Sequence, residues 1–257
     1  MIASLAMYDF GDTQVVNDKY WTLIRDHLRA AGVDAPDVLT RGDDAYWAAW
    51  QSPDLLLSQT CGYPFRARLS DHVAYVATPD YGVKGCAPGF YRSAFVARRD
   101  GARAHLAAFH GARFAFNDDL SQSGWAGPMT HAANSGLRLD PVLCSGSHRA
   151  SALAVVQGLV DVAAIDAITL RNLERNLPDL TAALRIVGWT DPAPGLPYIT
   201  GKGSAVAALR SATVAALASL SADDLIILGV KALVDIPTQE YLCVPNPPTP
   251  AHYGLIA

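Results

Sequence analysis

Two stretches of small polar residues, each set between an apolar strand and a helical pattern, carry the chemistry this sequence offers. They are Asn117-Asp118-Asp119-Leu120-Ser121-Gln122-Ser123-Gly124 and Ser145-Gly146-Ser147-His148-Arg149. The first backbone N–H groups of a helix lack intrahelical partners and sit at the positive end of its dipole. A hydroxyl-bearing loop at that point can therefore surround a phosphate-like anion with donors, and needs no lysine. Two such turns in one sheet can point their donors at a single crevice, where His148 could hold an oxygen. The plainer alternative is that Ser121 or Ser123 only caps its helix, and that His148 is a surface or capping residue.

Further polar groups fall where strands end. Asp166 closes the strand Val160 to Ile165, at the position where ligands of α/β sheets lie, although a helix N-cap would use the same residue. Gln59, Thr60 and Tyr63 follow a buried strand, and Tyr8 follows the first one. Aromatic walls with polar tips suit a small-molecule cleft, while a packed or hydrogen-bonded tyrosine explains each one singly. Catalytic patterns are not found: there is no Gly-x-Ser-x-Gly elbow, no His-Glu-x-x-His and no Gly-rich loop ending in Lys and Ser or Thr. The four cysteines lack zinc-site spacing, and no cofactor is expected.

The elements that must position these residues follow from hydrophobic periodicity. Val16, Tyr20, Ile24 and Leu28 recur every four residues and predict a helix over 14–31, stopped by Gly32. Strands are expected at 2–7, 54–57, 73–77, 93–97, 113–116, 141–144, 160–165 and 184–187. Helices are expected at 104–109, from Ser121 to before Gly136, at 148–158, 167–176 and 204–220. This alternation is that of an α/β protein whose lobes are mostly parallel sheets flanked by helices. The stiff stretch 191–197 reads as the chain returning to its first lobe, ahead of a Pro-rich tail near 245–250.

At 257 residues with 51% hydrophobic and 17% charged residues, a large core is assured. A net charge of −4 without basic clusters argues against nucleic acid and anionic lipid as partners, and the apolar runs are too short for membrane insertion. The first ten residues lack the pattern of a secretory signal, so either an export signal has been removed or the protein stays inside the cell.

The order of these pieces resembles the phosphate/phosphonate-type (PhnD-like) solute-binding proteins of ABC importers, which have the type II periplasmic-binding fold. Residues 54–63 look like that family's buried strand and tyrosine-bearing loop, and Ser121 to Gly124 resembles its Ser-Thr-Ser-Gly phosphonate cradle. Gln122 departs from it, an amide standing where the family usually has a threonine. The resemblance implies a two-lobed clamshell, with residues 1–95 and 190–257 in one lobe, 96–189 in the other and the ligand cleft between them. It implies that Ser121, Gln122, Ser123 and His148 hold a phosphorus oxyanion, and that Tyr63 lines the cleft with Tyr8, Gln59 and Thr60. Asp166 would face the ligand's other end, for example an amine. Segments 92–98 and 184–200 would flex as the lobes close, a disulfide would join Cys61 to Cys86, and an ABC permease would be the partner. The runner-up is a cytoplasmic enzyme on the same fold, resembling the lyases and dehydratases of menaquinone synthesis, with Asp166 or His148 as general base.

Overall fold

The stripe that predicts the first helix is buried as expected. In the computed structural model, which describes residues 1–255, the helix Thr13–Ala30 covers Val16, Tyr20, Ile24 and Leu28 completely. Gly32, at φ 76°, ends it, and Val33 N donates back to Leu28 O. In chain order the strands are β1 (Ile2–Ser4), β2 (Leu55–Gln59), β3 (Val73–Asp80), β4 (Phe90–Tyr91), β5 (Ser93–Arg98) and β6 (Ala112–Phe116). They continue with β7 (Leu139–Cys144), β8 (Val162–Asp166), β9 (Leu184–Trp189), β10 (Ala193–Pro194), β11 (Tyr198–Gly201) and β12 (Ala232–Val234).

The chain divides into two compact units, Met1–Phe90 with Pro194–Leu242, and Tyr91–Ala193 with Cys243–Ala257. The first unit is built on a five-stranded sheet in the order β1-β2-β11-β3-β12. Of its neighbouring pairs β1 and β2 are parallel, whereas β11 runs antiparallel to both β2 and β3, and β12 antiparallel to β3. Its core gathers Trp50, Leu55, Phe65, Leu69, Ile199 and Tyr241. The Tyr241 hydroxyl lies 2.6 Å from Thr78 Oγ1 and donates to Gly195 O at 2.9 Å, so this buried phenol is satisfied.

The second unit has a five-stranded sheet in the order β7-β6-β8-β5-β9. β6 is parallel to β7 and to β8, while β5 is antiparallel to β8 and to β9. The expected α/β class stands, but the sheets are mixed rather than mostly parallel. The first sheet takes in β11 from a distant stretch of chain, and in the second β5 lies between β8 and β9; each runs against the direction of its neighbours.

Other differences have local causes. The first strand stops at Ser4 instead of continuing to Met7, because residues 6–8 coil into a 3-10 turn whose Tyr8 carbonyl accepts from Thr13 Oγ1 at 2.5 Å. The helix expected over 104–109 is only the 3-10 turn Leu106–Phe109. The tail from Cys243, expected with the first lobe, belongs to the second unit. Trp125 holds it there: Nε1 donates to Pro248 O at 3.2 Å, and the indole meets the Tyr253 ring edge-on at 5.8 Å. Cys61 and Cys86 are thiols, so the implied bridge is not formed. No helix among the described residues is long and apolar enough to cross a membrane.

Candidate functional site

The parallel strands β6, β7 and β8 end at one edge of the second sheet, and the polar stretches of the sequence follow directly from them. After β6, Asp118 shapes the loop: its Oδ1 accepts from Leu120 N at 2.8 Å and its carbonyl from Ser121 N at 3.1 Å. Burial, then the neighbouring Asp118, raises the Asp119 carboxyl above its ordinary pKa. The chain then enters a π-helical turn, Gln122–Ala126, before the α-helix Gly127–Asn134. Wide turns of this kind recur at functional sites. Ser121 Oγ accepts from Gly124 N at 2.9 Å, so the capping role considered for this serine is real. Because that bond uses a lone pair, its hydroxyl proton remains to be given elsewhere.

Ser123 is not a cap. Its Oγ lies 2.8 Å from His148 Nε2 and 3.4 Å from Ser121 Oγ, which joins the two loops into one cluster. Ser121, Gln122 and Ser123 are all buried. The second loop is held in place by Ser145, whose N donates to Phe116 O at 2.8 Å and whose Oγ lies 2.6 Å from Ser151 Oγ. Ser147 then caps the helix His148–Val156 by accepting from Ala150 N at 3.1 Å. Burial pushes the His148 pKa down to about 4, partly opposed by the Ala164 backbone, so the imidazole is neutral at pH 7.

That shift has a consequence for stability. In the unfolded chain His148 takes up a proton below its ordinary value of 6.5, whereas in the folded chain it does so only near 4. Stability is therefore lost as pH falls through this window, by on the order of 3 kcal/mol. Urea unfolding of the wild type and of His148→Gln at pH 7 and pH 4.5 should show the steeper loss in the wild type. Equal losses would mean that His148 titrates normally.

Asp166 ends β8 and is buried, and its Oδ1 accepts from Ile168 N at 2.6 Å and Thr169 N at 3.0 Å. The N-cap alternative thus describes what this oxygen does. Sequence reasoning missed Asn117, whose carboxamide occupies the space above Gly124: a Cβ there would overlap Asn117 Oδ1. The signal was the glycine itself, because a loop side chain can lie flat only on a residue without a side chain.

In the first unit, Tyr8, Gln59, Thr60 and Tyr63 are all buried near the ends of β1 and β2. Gln59 Nε2 donates to Tyr81 OH at 3.2 Å and to Leu196 O at 3.1 Å, and Tyr8 meets the Tyr81 ring edge-on at 5.1 Å. Tyr8, Gln59, Tyr81 and Tyr198 line a recess there of about 10 Å³, room for one water. Arg66 lies over the Tyr63 ring at 4.6 Å. Thr60 differs: its Oγ1 is fully buried without a hydrogen-bond partner, an arrangement that costs free energy until something accepts or donates there.

Comparison with known proteins gives the context of this arrangement. No curated protein sequence matches the chain. Among solved structures, PhnD1 from Prochlorococcus marinus in complex with methylphosphonate superimposes with a TM-score of 0.70 at 19% identity, covering 93% of this chain and 94% of that one. XAC2383 from Xanthomonas citri bound to ATP gives 0.70 at 17% identity, covering 94% of each chain. The binding-protein component PA3383 of an ABC phosphonate transporter from Pseudomonas aeruginosa gives 0.69 at 17%, covering 94% of this chain and 82% of that one. These likenesses establish the type II periplasmic-binding fold. The family model for periplasmic substrate-binding proteins of ABC phosphonate transporters matches residues 49–233, nearly three-quarters of the sequence, and with that match the chain belongs to this family of transporter binding proteins.

Proposed function

We propose that this protein captures a small phosphorus oxyanion, such as a phosphonate, phosphite or phosphate, in the periplasm and presents it to an ABC permease without converting it chemically. Binding would be accompanied by hinge closure. The observation that carries this reading is the Ser121–Ser123–His148 cluster. In the tautomer with the imidazole proton on Nε2, His148 would donate to Ser123 Oγ, and the Ser123 hydroxyl proton would be left to point at an anion beside that of Ser121. Two buried hydroxyl donors at the start of a helix suit a tetrahedral oxyanion, and bonds to a charged oxygen are the stronger kind. The partnerless Thr60 hydroxyl would be satisfied by a ligand oxygen in the same way.

A thermal-unfolding screen of the dialysed protein tests this directly. Phosphate, phosphite, methylphosphonate and aminoethylphosphonate would be compared with sulfate and small carboxylates. A bound ligand at about 100 times its dissociation constant adds roughly 2.7 kcal/mol, so one of the phosphorus compounds should raise the midpoint clearly. A flat response to all four would overturn the reading.

A further inference from the structure

The turn that carries Ser121 and Ser123 is held between two hydrogen-bonding registers. Ser121 O accepts from Trp125 N, four residues on, at 3.2 Å and from Ala126 N, five residues on, at 2.9 Å. Gly127 N then donates to Gln122 O, again five residues apart. A Cβ at Gly127 would lie 2.9 Å from that carbonyl, so the wide closure depends on a glycine there. Five-residue closure is the rarer geometry, and a carbonyl already shared with the four-residue donor needs little movement to give it up. The surroundings of the turn therefore decide which register it keeps.

Those surroundings act on Trp125. Its backbone N–H makes the four-residue bond, and its completely buried indole meets the Phe116 ring at 4.7 Å, Pro248 O through Nε1 at 3.2 Å and the Tyr253 ring edge-on at 5.8 Å. Phe116 belongs to β6, whereas Pro248 and Tyr253 belong to the tail. That tail, 243–255, adds no strand to any sheet and is exposed over most of its length. Pro250 is its buried anchor, at the start of the 3-10 turn Pro250–Tyr253. The tail can leave the unit without breaking any sheet pairing, but its departure uncovers the indole.

Resting on the oxyanion reading above, we propose that the tail is a clamp on the oxyanion seat. By fixing the Trp125 indole it keeps the turn in its wide register, the one in which Ser123 Oγ stands 2.8 Å from His148 Nε2 and 3.4 Å from Ser121 Oγ. Trp125, Pro250 and Tyr253 are then positioning residues that touch no ligand. Anion affinity depends on a contact between residues 123 positions apart in the chain.

Hydrogen exchange and calorimetry on the full-length chain test the clamp in Tyr253→Ala, in Tyr253→Phe and in a released-tail variant, Pro250→Asp with Tyr253→Ala, each checked for folding by circular dichroism. In the wild type the amides of 122–126 should exchange faster than those of β8, because the tail can leave while the sheet stays paired. Exchange detects rare opening, so Tyr253→Ala should speed the amides of 122–126 by about two- to tenfold, the worth of one aromatic contact. Tyr253→Phe keeps the ring and should match the wild type. Affinity falls only once the docked tail is no longer the main population. The released-tail variant is therefore the one that should bind phosphate, phosphite and methylphosphonate more weakly, by about tenfold or more for the tightest of the three. Equal protection of 122–126 and β8 in the wild type, or unchanged exchange in Tyr253→Ala, overturns the clamp, and so does a released-tail variant with the wild-type dissociation constant. If that variant does not fold, the exchange comparison decides. Binding of none of the three anions by the wild type overturns the oxyanion reading instead, and the exchange comparison still judges whether the tail holds the turn.

Discussion

Replacing Trp125 with alanine is expected to lower the stability of the second unit by about 3–5 kcal/mol, a large share of what a domain of this size has. Trp125 is fully buried, packs on Phe116 at a ring separation of 4.7 Å, and holds the tail through Pro248 and Tyr253. It also lies inside the π-helical turn that follows Ser121, so its cavity would open directly beneath the proposed anion seat. Trp125→Phe separates the contributions, because it keeps most of the apolar contact and gives up the bond to Pro248, at about 1 kcal/mol. Urea denaturation measures both variants. A loss near 1 kcal/mol for the alanine would mean that the site collapses around the deletion.

Affinity should respond as strongly to Ser123→Ala. A hydroxyl donating to a charged oxygen contributes about 1.5–3 kcal/mol, so the dissociation constant of whichever phosphorus oxyanion proves to bind should rise by about ten- to a hundredfold. The fold should survive, because Ser123 caps nothing and its removal leaves His148 Nε2 able to turn to water or ligand. Isothermal titration gives the answer, and an unchanged dissociation constant would remove Ser123 from the site.

Much of the architecture was legible because periodicity reports burial. The stripe from Val16 to Leu28, the apolar runs of β2 and β8, and the glycine at the first helix end each have one physical reading, and the structure adopts it. What pattern could not convey was pairing over long distances. Nothing within Tyr198–Gly201 says that it inserts between β2 and β3, nor does the Pro-rich tail announce that it docks on Trp125. Both outcomes depend on partners far away in sequence.

The polar residues divided along similar lines. Loops that follow strands gather at one sheet edge, so Ser123 and His148 could be expected to meet, and they do. Whether a given oxygen was already occupied could not be told from residue type. Asp166 and Ser121 hold their own helix starts, Gln59 is committed to Tyr81 and Leu196, and Thr60 is left with its hydroxyl unmatched.

The insertion of β11 also sets a timetable for biosynthesis. Tyr198 lies opposite Gln59, so the central gap in the first sheet stays open until the ribosome has made almost all of the intervening chain. Strands β5 to β9, by contrast, emerge consecutively, so the second sheet has all its strands within one uninterrupted stretch of chain. During translation the apolar run Leu55-Leu56-Leu57 has β1 on one side and nothing on the other, an aggregation-prone edge that holdase chaperones recognise. The sheet begun first is thus the sheet completed last.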